Sequence, residues 1–186
     1  MDFDLTDEQR RVVSEVRAFG QRRLGWSDVR QWQRDSGVPD EVVKELARCA
    51  GAVLPFSNDF LNLQIMEEFA GSDQFEFVRA SYQEEGRLAF ALAISEPEGG
   101  SDTMGMRTSA RTVDGRIVLD GVKTFVNNGE YAPYLLVGAI DRDEEPGRYP
   151  ALSFWLVPRD LEGITVYPVQ KIGQSILPFS TCVFEN

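Results

Sequence analysis

Apolar residues in the first third of the chain recur at helical spacing. Val12, Val13, Val16 and Phe19 mark one helix face. Thr6, with Gln9 three residues on, has the form of a capping box. Leu5 can staple onto the Arg10 stem or Val12, and Gly25 reads as a stop. A second helix is predicted to start near Pro39 and Asp40 and to run through Val42, Val43, Leu46 and Ala47 toward Gly51. A third covers residues 60–69, with Leu61, Ile65 and Met66 inward. A fourth covers 75–82 and stops at Gly86.

The pattern changes at Arg87. Short apolar runs at 88–95, 107–112, 116–119, 123–126, 134–140, 151–157, 164–169 and 180–184 alternate with turn residues. "VDGR" at 113–116 signals a hairpin, because Asp-Gly takes positive φ readily. "DRDEEPGRYP" at 141–150 reads as a solvated loop. Strands at this spacing suggest a small antiparallel barrel or sandwich. The expected fold is therefore α+β. A partial N-terminal helical domain (1–87) precedes an antiparallel β-barrel middle domain (88–186).

Composition narrows the partners. A net charge of −11 argues against nucleic acid, which needs clustered cations. It leaves phosphate ligands open, because backbone N–H groups can hold phosphate locally. The apolar runs are too short to span a bilayer, and no signal-peptide pattern opens the chain. The expectation is a cytoplasmic protein without a membrane partner. Cys49 and Cys182 show no metal or redox spacing and are expected to be reduced thiols. There is no histidine, which removes the usual general base and most zinc sites, and no metal is expected.

Two polar segments are not explained by core packing. In "AISEPEGGSD" (93–102), Glu96 precedes proline and is pushed into an extended conformation. Gly99 and Gly100 let a ligand approach the backbone, Ser95 and Ser101 offer hydroxyls, and Asp102 can cap the turn. Such a lip of donors suits a flat ring with a diphosphate; it also suits a decorated β-turn. In "GVKTFVNNGE" (121–130), Phe125 beside amide side chains could stack on a heteroaromatic ring, or the segment could be an ordinary hairpin loop.

Taken together, "AISEPEGGSD" and "LDGVKTFVNN" (119–128) resemble the acyl-CoA dehydrogenase family. The opening "MDFDLTDEQ" and the run "VQKIGQSILPFSTCVFEN" (169–186) are similar to segments of that family as well. The resemblance implies a flavoprotein whose middle β-domain holds one face of FAD. By position, Leu92, Ala93, Ile94 and Ser95 would border the flavin, with the Ser95 hydroxyl at its pyrimidine edge. Gly100 and Ser101 would lie by the phosphates and the acyl-CoA entrance, making Ser101 a substrate contact too. Phe125, Val126 and Asn127 would flank the ring near its reactive nitrogen. The implied activity is α,β-dehydrogenation of an acyl-CoA thioester, with electrons passed to an electron-transferring flavoprotein. The implied assembly is a homodimer or homotetramer. Alternatives are a flavin oxidase or monooxygenase of the same superfamily, or an inert binding module that keeps the fold.

The chain departs from the family pattern in three ways. Asn127 stands where the family usually has a hydroxyl residue. Glu98 and Gly99 replace a small pair, and Glu98 is expected to face solvent. The helical part looks shortened between Cys49 and Asn58, and the C-terminal helical bundle of the family, with its catalytic glutamate, is absent from this sequence. Glu96 is expected to be a structural hydrogen-bonder rather than the base. Without the bundle, helix faces around Val12, Val16, Leu61 and Ile65 would lose apolar burial worth about 25 cal/mol per Å². The 186-residue chain expressed alone is therefore expected to fold poorly or aggregate. A monodisperse species with one sharp thermal transition would contradict this.

Overall fold

The computed structural model describes residues 4–35, 37–50, 57–85, 90–145, 147–173 and 176–185, without the side chains of 46–50, 57–61, 83 and 85. The chain divides into two compact units, Met1–Leu88 with Gly173–Ile176 and Ala89–Ile172 with Leu177–Asn186.

The first unit is helical: α1 (Asp7–Arg23), α2 (Trp26–Arg34), α3 (Asp40–Ala50), α4 (Ser57–Phe69) and α5 (Ser72–Glu85). The expected capping box opens α1. Thr6 Oγ1 accepts from the Gln9 N–H at 3.2 Å, and Gln9 Oε1 accepts from the Thr6 N–H at 2.9 Å. Phe19 is buried with Val42 of α3, flanked by Trp32 and Val38. Arg22 and Arg23 of α1 both bond Glu45 of α3, which ties the two helices at their rim. Val12 and Val16 are half-buried, whereas Val13 faces solvent. Helix α2 is not predicted from the sequence. Leu24 is the C-cap of α1, and Gly25, read as a stop, is the N-cap of the next helix. Trp26 at its start is 81% exposed, so the apolar pattern of α2 reduces to Val29 and Trp32. Among the described side chains, Asn62 and Met66 of α4 and Val78 of α5 are buried, and Ile65 is half-buried. The expected inward positions Leu46, Ala47 and Leu61, and the stops at Gly51 and Gly86, lie outside the described residues and side chains.

The second unit is a curled sheet of β1 (Phe90–Ala93), β2 (Ser109–Val113), β3 (Arg116–Asn127), β4 (Tyr134–Asp141), β5 (Leu152–Pro158), β6 (Ile164–Val169) and β7 (Phe179–Phe184). Its core gathers Ala91, Ala93, Val126, Leu135, Val137, Cys182 and Phe184. Burial pushes the Cys182 thiol up to about 11, against a small opposing pull from Arg159, so it is an inert core residue. The Asp114-Gly115 pair takes φ of 51° and 76° and closes the β2–β3 hairpin as the sequence predicts.

The sheet is mixed, not purely antiparallel. β4 pairs antiparallel with β5 along 134–140. Its other edge is shared by two parallel partners, β1 at 134–137 and β2 at 140–141. β1 and β2 therefore lie end to end along one edge and run the same way. The turn residues between them do not reverse the chain; they form an excursion that returns to the same line. Turn-rich spacing suggests hairpins, and here that inference fails. The uninterrupted burial of Leu135–Ile140 is the matching signature, because a strand covered on both faces need not alternate.

β3 is one bent strand where two short ones are predicted. Residues 116–120 pair with β2, and 121–127 pair with β7. Gly121 is the corner, with φ of 147°. A Cβ there would stand 2.5 Å from Thr108 Oγ1 and 2.7 Å from Thr108 Cα. Gly121→Ala combines a disfavoured φ with this clash. It is expected to destabilise the protein by about 2 kcal/mol or more in denaturant titrations.

Candidate functional site

The excursion between β1 and β2 begins with a tight turn. The Glu96 N–H donates to the Gly99 carbonyl at 2.8 Å, and the Gly99 N–H returns to the Glu96 carbonyl at 3.2 Å. Further on, Asp102 caps a short 3-10 turn, its Oδ1 accepting from the Gly105 N–H at 3.1 Å. A shallow pocket of about 110 Å³ lies on this lip, lined by Ile94, Glu98, Gly100, Thr103, Met106 and Arg107 among others. That is well below the roughly 300–1,000 Å³ of small-molecule pockets, so it has room for only part of such a ligand.

The second polar segment meets the first. The Thr124 N–H donates to the Ser95 carbonyl at 2.8 Å. Just beyond, the β3–β7 register shifts: Lys123 faces Cys182, but Val126 faces Ser180. One extra residue on β3 makes a β-bulge there. Lys123 and Val126 consequently both point inward, although their spacing would put them on opposite faces of a regular strand. Phe125 absorbs the extra residue with φ of 55°, and its side chain turns out to 60% exposure. Its ring meets Phe179 edge-to-face at 6.3 Å between centroids. Lys171 Nζ lies 4.0 Å from the Phe179 centroid and also donates to the Leu177 carbonyl.

Beneath these segments is a buried ion pair. Lys123 is fully buried, and its Nζ donates to Glu96 Oε1 and to the Ile94 carbonyl, both at 2.9 Å. Glu96 Oε1 also accepts from the Thr108 N–H, and Oε2 from the Arg107 N–H, each at 2.8 Å. Burial opposes ionisation of Glu96, but Thr108, Lys123 and the Arg107 and Thr108 backbone outweigh it and hold the carboxyl at about 2. Burial pushes the Lys123 ammonium below its ordinary range, against the pull of Glu96. Glu96 is thus a structural hydrogen-bonder, and Glu98 faces solvent within 3.9 Å of Arg107.

The structure brings Ser95, Phe125 and Asn127 to one region. The Ser95 Oγ lies 3.9 Å from where a Cβ on Gly100 would stand. Gly100 and Ser101 are exposed on the lip. Leu92 and Ile94 are half-buried on the face opposite the core. Ala93 and Val126 have their side chains inside the core, so only their backbones can meet a ligand. Lys123, Thr124, Phe179 and Lys171 are not singled out by the sequence reading. The one available signal for Lys123 is a lysine in the run "GVKTFV", at a register that a bulge turns inward.

Residues 91–186 match the family described as acyl-CoA dehydrogenase, middle domain. The chain belongs to the acyl-CoA dehydrogenase family. The Escherichia coli protein described as "Probable acyl-CoA dehydrogenase YdiO" is 28% identical over 98% of this chain and 55% of its own length. A crystal structure of an acyl-CoA dehydrogenase from Slackia heliotrinireducens is 42% identical, with a TM-score of 0.81 over 100% of this chain and 55% of that one. A glutaryl-CoA dehydrogenase from Mycobacterium smegmatis, solved in complex with FADH2, shares the fold at 22% identity, with a TM-score of 0.79 over 98% of this chain and 53% of that one. The chain thus spans about half the length of the acyl-CoA dehydrogenase relatives it matches. Among the described residues, no helix is long and apolar enough to cross a membrane, and no group of three or more His, Cys, Asp or Glu could hold a metal ion.

The residues of the lip and the bulge offer contacts that a flat heteroaromatic ligand would use. Phe125 offers an exposed ring face, and Ser95 offers a hydroxyl. Asn127 Oδ1 is buried without a partner, so a ligand N–H would satisfy it. With the amide turned over, its NH2 would donate to a ring nitrogen instead.

The depressed pKa of Glu96 sets a pH window. Its contribution is complete above the ordinary carboxyl range near 4.5 and is lost as pH falls through about 2. Stability on the order of 3 kcal/mol should therefore disappear between about pH 5 and pH 2. Glu96→Gln should flatten the acid limb of a melting temperature against pH curve; an unchanged limb would contradict the assignment.

Proposed function

We propose that the protein carrying this chain is an FAD-dependent acyl-CoA dehydrogenase that introduces an α,β double bond into an acyl-CoA thioester and passes electrons to an electron-transferring flavoprotein. The observation that carries this reading is the hydrogen bond from the Thr124 N–H to the Ser95 carbonyl. It joins the lip and the bulge, so the Ser95 hydroxyl and the exposed Phe125 ring can serve one planar ligand. The Mycobacterium smegmatis relative solved with FADH2 lends support through its shared fold.

In this reading Phe125 covers one face of the isoalloxazine and keeps water from it. Leu92, the Ala93 backbone, Ile94 and Ser95 line its border, and the Ser95 hydroxyl bonds the pyrimidine edge. The Val126 backbone and the Asn127 amide flank the reactive nitrogen. Gly100 and Ser101 give the diphosphate and the acyl-CoA entrance a side-chain-poor approach. Bound FAD would accept the hydride that leaves the β-carbon. The α-proton would go to a glutamate of the C-terminal bundle, in a cytoplasmic homodimer or homotetramer. The ledge itself supplies orientation and exclusion of water, which is where protein contributes most in cofactor chemistry.

The test uses the full-length protein. Bound flavin should be reduced anaerobically by an acyl-CoA and reoxidised by an electron-transferring flavoprotein. Rapid reoxidation by oxygen would instead indicate an oxidase or monooxygenase, and failure to take up FAD an inert module. Phe125→Gly separates site from fold. It relieves the positive φ at Phe125 and should change stability by no more than about 1 kcal/mol. FAD affinity should nonetheless fall by roughly tenfold or more.

A further inference from the structure

Lys123 and Glu96 belong to neither exposed segment, yet they hold both. Lys123 Nζ bonds the Ile94 carbonyl and Glu96 Oε1, immediately before and after Ser95. The residue after Lys123 donates its N–H to the Ser95 carbonyl. The next is Phe125, at the positive φ of the bulge. Glu96, in turn, anchors the far end of the excursion through the Arg107 and Thr108 N–H groups. One ammonium and one carboxylate thereby connect the end of β1, the start of β2 and the bulge in β3. A pair needed only for filling the interior would not have to bond two backbone segments and tie them to a third.

We infer that Lys123 and Glu96 are positioning residues for the flavin ledge: the Lys123 ammonium, tied to the Ile94 carbonyl and the Glu96 carboxylate, sets the distance between the Ser95 lip and the Phe125 ring. The inference rests on the FAD reading above. It requires no contact between either side chain and the cofactor. Its consequence is that flavin affinity and fold stability are separable. An apolar replacement can repair the interior, because buried ion pairs are often exchanged for apolar groups without loss of stability. It cannot restore the bond to the Ile94 carbonyl.

The experiment compares full-length wild type, Lys123→Met and the double variant Glu96→Gln/Lys123→Met. The readouts are the melting temperature of the apoprotein, the dissociation constant for FAD and the visible absorption spectrum of bound flavin. Lys123→Met should lower the melting temperature, because it leaves a buried carboxylate without its cation. The double variant should recover most of that loss. FAD affinity should stay weakened by roughly 10- to 100-fold in both, with a shifted flavin spectrum. Recovery of affinity in step with melting would show a purely structural role and overturn the inference while leaving the FAD reading intact. A wild type that takes up no FAD sinks both. Should the methionine variants not fold, nearly isosteric Glu96→Gln is judged by the same readouts. Glu96→Gln should lower the melting temperature at neutral pH, as loss of the carboxylate charge requires. Several-fold weaker FAD binding with a shifted flavin spectrum, read at a temperature where the variant is folded, supports the inference, and unchanged affinity and spectrum overturn it.

Discussion

The β unit is organised around a charge buried away from its surface. Lys123 is fully buried, and a lone ammonium there would cost several kcal/mol. The cost is met locally by one carboxylate and one carbonyl, and the carboxylate is completed by two backbone N–H donors. Every one of these partners comes from the segment between β1 and β2. That segment is rich in glycine and polar groups and has little apolar surface to fix its path. Its shape is set by polar bonds to a strand two steps away in sequence order, and so an exposed loop is fixed at its base by buried contacts.

The bulge in β3 follows from the same constraint. Lys123 must point inward to reach Glu96, and Val126 must point inward to fill the core. A regular strand cannot satisfy both, because alternate residues face opposite ways. The extra residue resolves the conflict by turning Phe125 outward in a left-handed conformation, which costs about 1–3 kcal/mol for a residue of this type. An exposed aromatic ring, a strained backbone angle and an unpartnered buried amide thus occur within three residues, Phe125 to Asn127. Backbone strain of this kind persists only where the surrounding structure enforces it, here through the inward demands of Lys123 and Val126.

What the sequence revealed was local. Thr6 with Gln9, Asp114 with Gly115, and Asp102 each declare their geometry through short-range bonds, and each is found as expected. The joining of Ser95 to the Phe125 segment was legible only as a resemblance, because no spacing rule links a strand end to a bulge. Three features were not legible. Helix α2 is only nine residues long and starts at a glycine that reads as a stop, so Val29 and Trp32 alone do not declare it. The parallel pairing of β1 and β2 with β4 depends on where the chain goes after Asp102, which turn composition does not encode. The burial of Lys123 contradicts its residue type and becomes intelligible only beside Glu96.

The end-to-end placement of β1 and β2 along β4 has a bearing on how such a protein can diversify. The two strands keep their hydrogen-bond partners whatever lies between them, so the intervening peptide is a detour whose length and chemistry are not dictated by the sheet. Evolution can rewrite Pro97 to Thr103 at little risk to the architecture, provided that a carboxylate remains at the near end and two amides at the far end to receive it. What this rim presents to its surroundings can then drift while the scaffold beneath stays as it is.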